Sequence, residues 1–318
     1  LIDLPPRIAL TDLPDLLSGR RAVITGRVAA AQDVPSLAAL PVVETPAKTP
    51  SDADLVVVLG GGTRLDAAKA WRGRNRPDCA LLAIPTRFGS GAEANDIAVL
   101  DDRGAKTIQK GPEFRPEYRA YLPGVLQTLP EDALLWSKGD ALTHALEGLL
   151  SPLATDALRA DLADVLHTML DLSDPRDAEW FELSALANAG QAQASVGLVH
   201  GLAHVLEAPA RAELATMGRE DQLGHARLCS GFLAPVLRYN FTRSDKAADR
   251  LKAVGIDRDA LLALANSIST PALDLPLDWP DLIEAHWKSI LRDFCTRTNV
   301  ATVRPATLTA LITEVSAQ

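Results

Sequence analysis

Leu55-Val-Val-Val-Leu59 is a run of five apolar residues that leads directly into Gly60-Gly61-Gly62 and a helix-compatible stretch, Thr63-Arg-Leu-Asp66-Ala-Ala-Lys69, continuing through Trp71. A strand that is apolar on both faces must lie between two covering layers, as in a parallel α/β sheet. The glycines permit a tight turn and let backbone N–H groups approach a ligand, and the following helix start adds positive potential. This unit predicts a phosphate cradle at Gly60, Gly61, Gly62 and Thr63, although any tight strand–helix corner can use glycine. It is not a P-loop, because Lys-Ser/Thr does not follow the glycines at the required distance. Asp66 reads either as a ligand contact or as an acid favoured near a helix start.

Ala80-Leu-Leu-Ala-Ile84 is a second strand, leading into Pro85-Thr86-Arg87-Phe88-Gly89-Ser90-Gly91-Ala92-Glu93. Ligands bind at that edge of open α/β sheets, so Thr86, Arg87 and Ser90 join the candidate cofactor contacts. Ile97 to Leu100 and Thr107-Ile108 flank Asp101-Asp-Arg-Gly104, a hairpin signal. Lys106 or Lys110 can reach a cofactor from there, or stand as exposed hairpin lysines. Upstream, Arg21-Ala-Val-Ile-Thr25 is a short strand ending at Gly26. An acid at such a strand end would hold the ribose hydroxyls and reject a 2′-phosphate. Here Arg27 follows instead, which tilts towards NADPH unless Arg27 is simply solvated. The connection from there to Pro50 is too aperiodic for a full helix–strand unit.

From Glu131 the periodicity is helical almost throughout, with breaks expected at Pro152, Pro175, Pro209, Pro271 and between Pro276 and Pro280. The expected architecture is an α/β nucleotide-binding domain over residues 1–128, followed by an all-helical domain over 129–318, with the site in the cleft between them. Hydrophobic content of 47% with only 4% aromatics means a core of Ala, Leu and Val. A net charge of -9 without a basic cluster argues against a nucleic-acid surface. No stretch is long and apolar enough to span a membrane, and the N-terminus shows no signal-peptide pattern. Cys79, Cys229 and Cys295 lack metal-type spacing and read as free thiols in a reducing cytoplasm.

Two stretches carry chemistry. Asp140-Ala-Leu-Thr-His144-Ala-Leu-Glu147 lies within the proline-free apolar run 134–150, so Asp140 and His144 share one helix face. His200-Gly-Leu-Ala-His204 repeats the spacing inside a second small and apolar run, 184–205. A carboxylate and imidazoles converging in this way suit a metal. The plainer alternative is a capped helix with an incidental histidine. His167 and His286 have no partner at such spacing and read as structural or exposed.

The four blocks together resemble the iron-dependent (group III) alcohol dehydrogenases, which share a fold with dehydroquinate synthase. Residues 60–69 are similar to that family's GGGSxxDxAK loop and residues 84–93 to its IPTTAGTGSE loop. Residues 140–147 match DAxxHAxE, and residues 197–204 match GxxHxxxH. The resemblance implies a dehydroquinate synthase-like fold, NAD or NADP, and Fe²⁺ or alternatively Zn²⁺ held by Asp140, His144 and His200. It implies a fourth ligand on the next helix, best matched by His225, and places His204 beside the substrate as the group that passes the hydroxyl proton. It also implies a dimer or larger homo-oligomer. The connection from His204 to His225 is longer than usual and highly charged, and Ala226 replaces the family's glycine after the ligand. Arg87 and Phe88 stand where smaller residues are usual.

The expected activity is hydride transfer between an alcohol and the nicotinamide. A β-hydroxy acid or a peptide-borne hydroxyl is one substrate class to be tested. The alternatives are a cyclase like dehydroquinate synthase, a maleylacetate reductase-like enzyme, and a non-catalytic relative acting as a binding protein.

Overall fold

The computed structural model describes residues 2–102 and 105–317. After a short helix α1 (Leu13–Leu17) come strand β1 (Ala22–Gly26), a short helix α2 (Pro35–Ala38) and strand β2 (Leu55–Gly60). Helix α3 (Gly62–Asn75) and strand β3 (Ala80–Pro85) follow, then β4 (Ile97–Asp102), β5 (Ala105–Lys110) and β6 (Tyr118–Arg119). The helical part comprises α4 (Glu131–Leu150), α5 (Asp156–Asp171), α6 (Glu179–Ala194), α7 (Leu198–Ala215), α8 (His225–Arg243) and α9 (Asp245–Ala253). It ends with α10 (Arg258–Leu273), α11 (Trp279–Arg292), α12 (Phe294–Arg297) and α13 (Leu308–Ser316).

β1, β2, β3 and β6 form a sheet in the order β1-β2-β3-β6, and every pairing is parallel. The period of two along β2 accounts for the layering. Leu55, Val57 and Leu59 face the large core shared with α4, α5 and α6, whereas Val56 and Val58 pack on Leu65 and Ala68 of α3. The sheet is thus covered on both faces, as its unbroken apolar run requires. Between β1 and β2 there are only short helical turns and an isolated bridge from Ile24 to Val42, which agrees with a shortened connection. β4 and β5 pair antiparallel as the expected hairpin; its tip, Arg103 and Gly104, lies outside the described residues. The two-residue strand β6 gives no signal in the sequence.

α4 is buried on all sides from Gly139 to Leu150 and packs against α5, α6, α8 and α10. A helix that is apolar all round belongs at the centre of a bundle. Gly139 sets its distance from α8, because a Cβ there would stand 2.1 Å from Ser230 Oγ.

Two expectations about helix limits are corrected. The run 184–205 is two helices, α6 and α7, broken at Ser195, which adopts φ 64°. The break is stabilised from a distance: Asn299 Oδ1 accepts the N–H of Leu198 at 3.2 Å, and Glu147 Oε1 accepts that of Val199 at 2.7 Å. Conversely, Pro209 and Pro271 break nothing and lie inside α7 and α10. Burial of Leu206, Ala210 and Leu214 along one face of α7 outweighs the hydrogen bond lost at Pro209. The long segment after His204 is therefore mostly the continuation of α7. Among the described residues no helix is long and apolar enough to cross a membrane.

Candidate metal centre and cofactor cleft

The parallel register aligns the C-terminal ends of β2 and β3, with Gly60 opposite Pro85. The glycine turn and the second loop therefore meet, and Thr86 N–H donates to the Gly60 carbonyl at 3.0 Å. Lys69 fastens the two loops. Its ammonium is fully buried and donates to Asp66 Oδ1 (3.2 Å), the Ala92 carbonyl (2.8 Å), Asn95 Oδ1 (3.0 Å) and the Ile97 carbonyl. Burial pushes Lys69 below and Asp66 above their ordinary values, and the attraction between them opposes both shifts. Asp66 is thus a partner of Lys69, more than one turn inside the helix, and also lines the cleft.

That cleft has a volume of about 510 Å³ and runs from the start of α3 to the helical bundle. Gly62, Thr63, Asp66, Arg87, Ser90 and Lys106 line it on the sheet side. Of the remaining cofactor candidates, Gly60 and Gly61 form the turn itself, and Thr86 is buried behind it. Phe88 is a core residue, stacked on Trp180 at 5.2 Å between ring centroids, whereas Arg87 is exposed in the cleft. Lys106 pairs with Glu207 at 3.4 Å, and Lys110 donates to the Ala192 carbonyl at 2.8 Å.

On the opposite wall, α4, α7 and α8 bring Asp140, His144, His200, His204 and His225 together. His144 Nδ1 faces the Gly89 carbonyl at 3.1 Å. Gly89 reaches that position only through φ +110°, and a Cβ on it would lie 3.0 Å from the Ser137 carbonyl. His200 Nδ1 is 2.7 Å from Glu147 Oε2. A carbonyl can only accept, so His144 Nδ1 carries the proton. Glu147 already accepts backbone N–H groups at the start of α7, and His200 Nδ1–H donates to it as well. The two Nε2 atoms are therefore both bare, yet they face each other at 3.1 Å with no proton to share. Asp140 Oδ1, beside them, is buried without a hydrogen-bond partner. Lone pairs that converge beside an orphaned carboxylate oxygen are satisfied by a cation, and this donor set fits a divalent metal.

The electrostatics agree. Burial, reinforced by the neighbouring histidines, holds His200 and His225 well below the ordinary histidine value, so both are neutral donors. Burial raises Asp140, opposed by His144 and the Cys229 thiol. Burial also pushes Glu147 up to about 7, against N–H donors of Gly197, Val199 and His200 that favour its anion. Glu147 is a residue whose role the sequence reading missed: it caps α7 and orients His200 at once. Glu207 Oε2 lies 3.9 Å from His225 Nδ1, beyond hydrogen-bond distance.

Two cysteines also need correction, because residue spacing had left them apart from the site. Cys229 lies one turn after His225 on α8, with Sγ 3.4 Å from His225 Nε2. Cys295 lies 3.8 Å from His204 Nδ1, which is also 3.7 Å from Asp293. All three cysteines are free and buried. Burial opposes the Asp293 anion, but His204 and the N–H groups of Cys295 and Thr296 prevail and hold it below its ordinary value.

The family model for iron-containing alcohol dehydrogenase matches residues 42–121, which span the glycine turn and the second loop. A 1-propanol dehydrogenase of Salmonella typhimurium is 29% identical over 295 residues, covering 81% of this chain and 75% of that protein. On these matches the chain is similar to the iron-containing alcohol dehydrogenase family. A maleylacetate reductase of Sphingobium indicum is 30% identical over 216 residues, 63% of this chain and 55% of that protein. The iron-containing alcohol dehydrogenase of Thermococcus thioreducens superposes with a TM-score of 0.78 at 19% identity, with all of both chains covered, so the fold is that of iron-containing alcohol dehydrogenases. Its named relatives are oxidoreductases, and at that level so is this chain.

Proposed function

We propose that this chain interconverts an alcohol and its carbonyl compound, with a nicotinamide cofactor and a metal held by Asp140, His144, His200 and His225. The observation that carries this reading is the pair of bare Nε2 atoms at 3.1 Å, on a wall facing the start of a glycine-led helix. When bound, the metal would supply Lewis acidity towards the substrate oxygen, and the nicotinamide would supply or accept the hydride. The chain's own residues do the rest. The N–H groups at the start of α3 receive a diphosphate. Glu147 fixes the ring of His200. His204, its Nδ1 turned towards Asp293, holds the hydroxyl proton at the cleft wall. The cleft gathers Arg87, Lys106, Lys110 and Arg211 in a chain of net charge -9, which favours an anionic cofactor and a substrate that carries a carboxylate.

Arg27 is exposed just beyond β1, one strand from the glycine turn, and supports NADPH over NADH. Arg27→Ala should raise the Kd for NADPH about tenfold and leave that for NADH nearly unchanged; an equal effect on both would remove this assignment. The free thiols support a reducing cytoplasm, and the family supports a homo-oligomer.

The deciding experiment is elemental analysis beside NAD(P)H-linked assays on alcohols and aldehydes. We expect about one metal per chain, and activity that is lost on chelation, restored by a divalent metal and abolished in His200→Ala. Full turnover by metal-free protein would overturn the mechanism. Cofactor that returns unchanged at each turnover would point to a cyclase, and failure to bind any cofactor would point to a binding protein.

A further inference from the structure

A sulfur stands among the donor atoms of the proposed metal site. This inference rests on the metal-binding reading above and concerns which atoms of this chain complete the site. One donor atom from each of Asp140, His200, His225 and Cys229 lies within 4.8 Å of all the others. Cys229 is fully buried, and its Sγ stands 3.4 Å from the His225 Nε2 that faces the site. Metal–sulfur bonds of about 2.3 Å and metal–nitrogen bonds of about 2.0–2.1 Å, at angles of roughly 90–120° between neighbouring ligands, put such S···N pairs at about 3.1–3.8 Å, which brackets what is seen.

The helices explain how the sulfur gets there. α8 presents His225 and Cys229 four residues apart, as α4 presents Asp140 and His144, so each helix aims an i, i+4 pair at the same point. Gly139 and Ser230, the sequence neighbours of Asp140 and Cys229, make the contact that brings the two helices together. His144 lines the cleft and Cys229 does not, so the sulfur approaches from the buried side. A buried cysteine is ordinarily a small hydrophobe among apolar neighbours. Here its neighbours include a carboxylate with an orphaned oxygen and the imidazoles of His200 and His225.

We propose that Cys229 is a further ligand of the bound metal, added to Asp140, His144, His200 and His225. Its thiol proton leaves to solvent as the metal enters, and the sulfur binds as thiolate. A mixed oxygen, nitrogen and sulfur set is softer than one carboxylate with three histidines, and moves the site's preference towards zinc.

The test uses the full chain, stripped of metal and loaded anaerobically with one equivalent of Co²⁺. Bound cobalt with a near-ultraviolet thiolate-to-cobalt charge-transfer band is expected. Cys229→Ser should lose that band and still retain cobalt through the histidines, whereas Cys295→Ser should keep it. Cobalt bound without the band, or a band lost only in Cys295→Ser, overturns the proposal and leaves the metal reading standing. If the wild-type chain takes up no cobalt, both fall. Should Cys229→Ser fail to fold, X-ray absorption of the zinc-loaded wild type decides. A sulfur scatterer at about 2.3 Å supports the proposal, and a shell of only nitrogen and oxygen overturns it.

Discussion

Glu93 shows what single side chains bear for the site. It closes the second loop, is 1% exposed, and has an Oε2 with no hydrogen-bond partner. Burial raises its carboxyl from 4.5 to about 7, against the pull of its own backbone N–H, Arg119 and Lys69. Between those two values the folded chain keeps a proton that the unfolded chain has released. Stability from this group is therefore full below about 4.5 and is lost as the pH rises through 7, at a cost of up to about 3 kcal/mol. Glu93→Gln, which cannot ionise, should unfold at a higher temperature than wild type at pH 8.5 and at nearly the same temperature at pH 5. Thermal melts at the two pH values check this. Parallel loss of stability in both proteins would mean that Glu93 is charged throughout.

The elements show what was legible in the sequence and why the rest was not. The strand–glycine–helix unit was readable because its signals are local: an unbroken apolar run, three glycines and a helix start. Asp140 with His144 was readable because i, i+4 spacing is a property of one helix. The break between α6 and α7 was not, since its caps, Asn299 and Glu147, come from remote segments. Cys229 escaped for a related reason. Its spacing to His225 is visible, but only the approach of α8 to α4 gives it a carboxylate neighbour. That approach depends on Gly139, and Gly139→Ala would force a methyl group to within 2.1 Å of Ser230 Oγ. The helices must separate, at a cost of about 1–3 kcal/mol, and Asp140 moves away from His225 and Cys229 on α8. A weakened metal affinity, measured by competition with a chelator, accompanies the lower melting temperature. Wild-type affinity in this variant would show that the metal does not depend on the α4–α8 contact.

At the scale of the molecule, the donor residues come from three helices that are otherwise joined mainly by apolar packing. α4 and the sheet share the largest core, whereas α7 and the face of α8 bearing Cys229 belong to a second core with α11 and α13. A metal bound by Asp140, His144, His200 and His225 ties one core to the other, and the unfolded chain has no such preformed site. Binding must therefore stabilise the whole fold. With the metal at a thousandfold excess over its Kd, the gain is about 4 kcal/mol, which for a chain of this size raises the melting temperature by about 5–8 °C. Scanning calorimetry of metal-stripped and reloaded protein should show that shift, and His200→Ala should remove it without changing the melting temperature of the stripped form by a comparable amount. The comparison separates two origins of the cluster. If the histidines and Asp140 were only a buried polar network, His200→Ala would destabilise the stripped protein and added metal would do nothing. A shift that needs both the metal and His200 means that the fold carries bare lone pairs in its interior because a cation completes them.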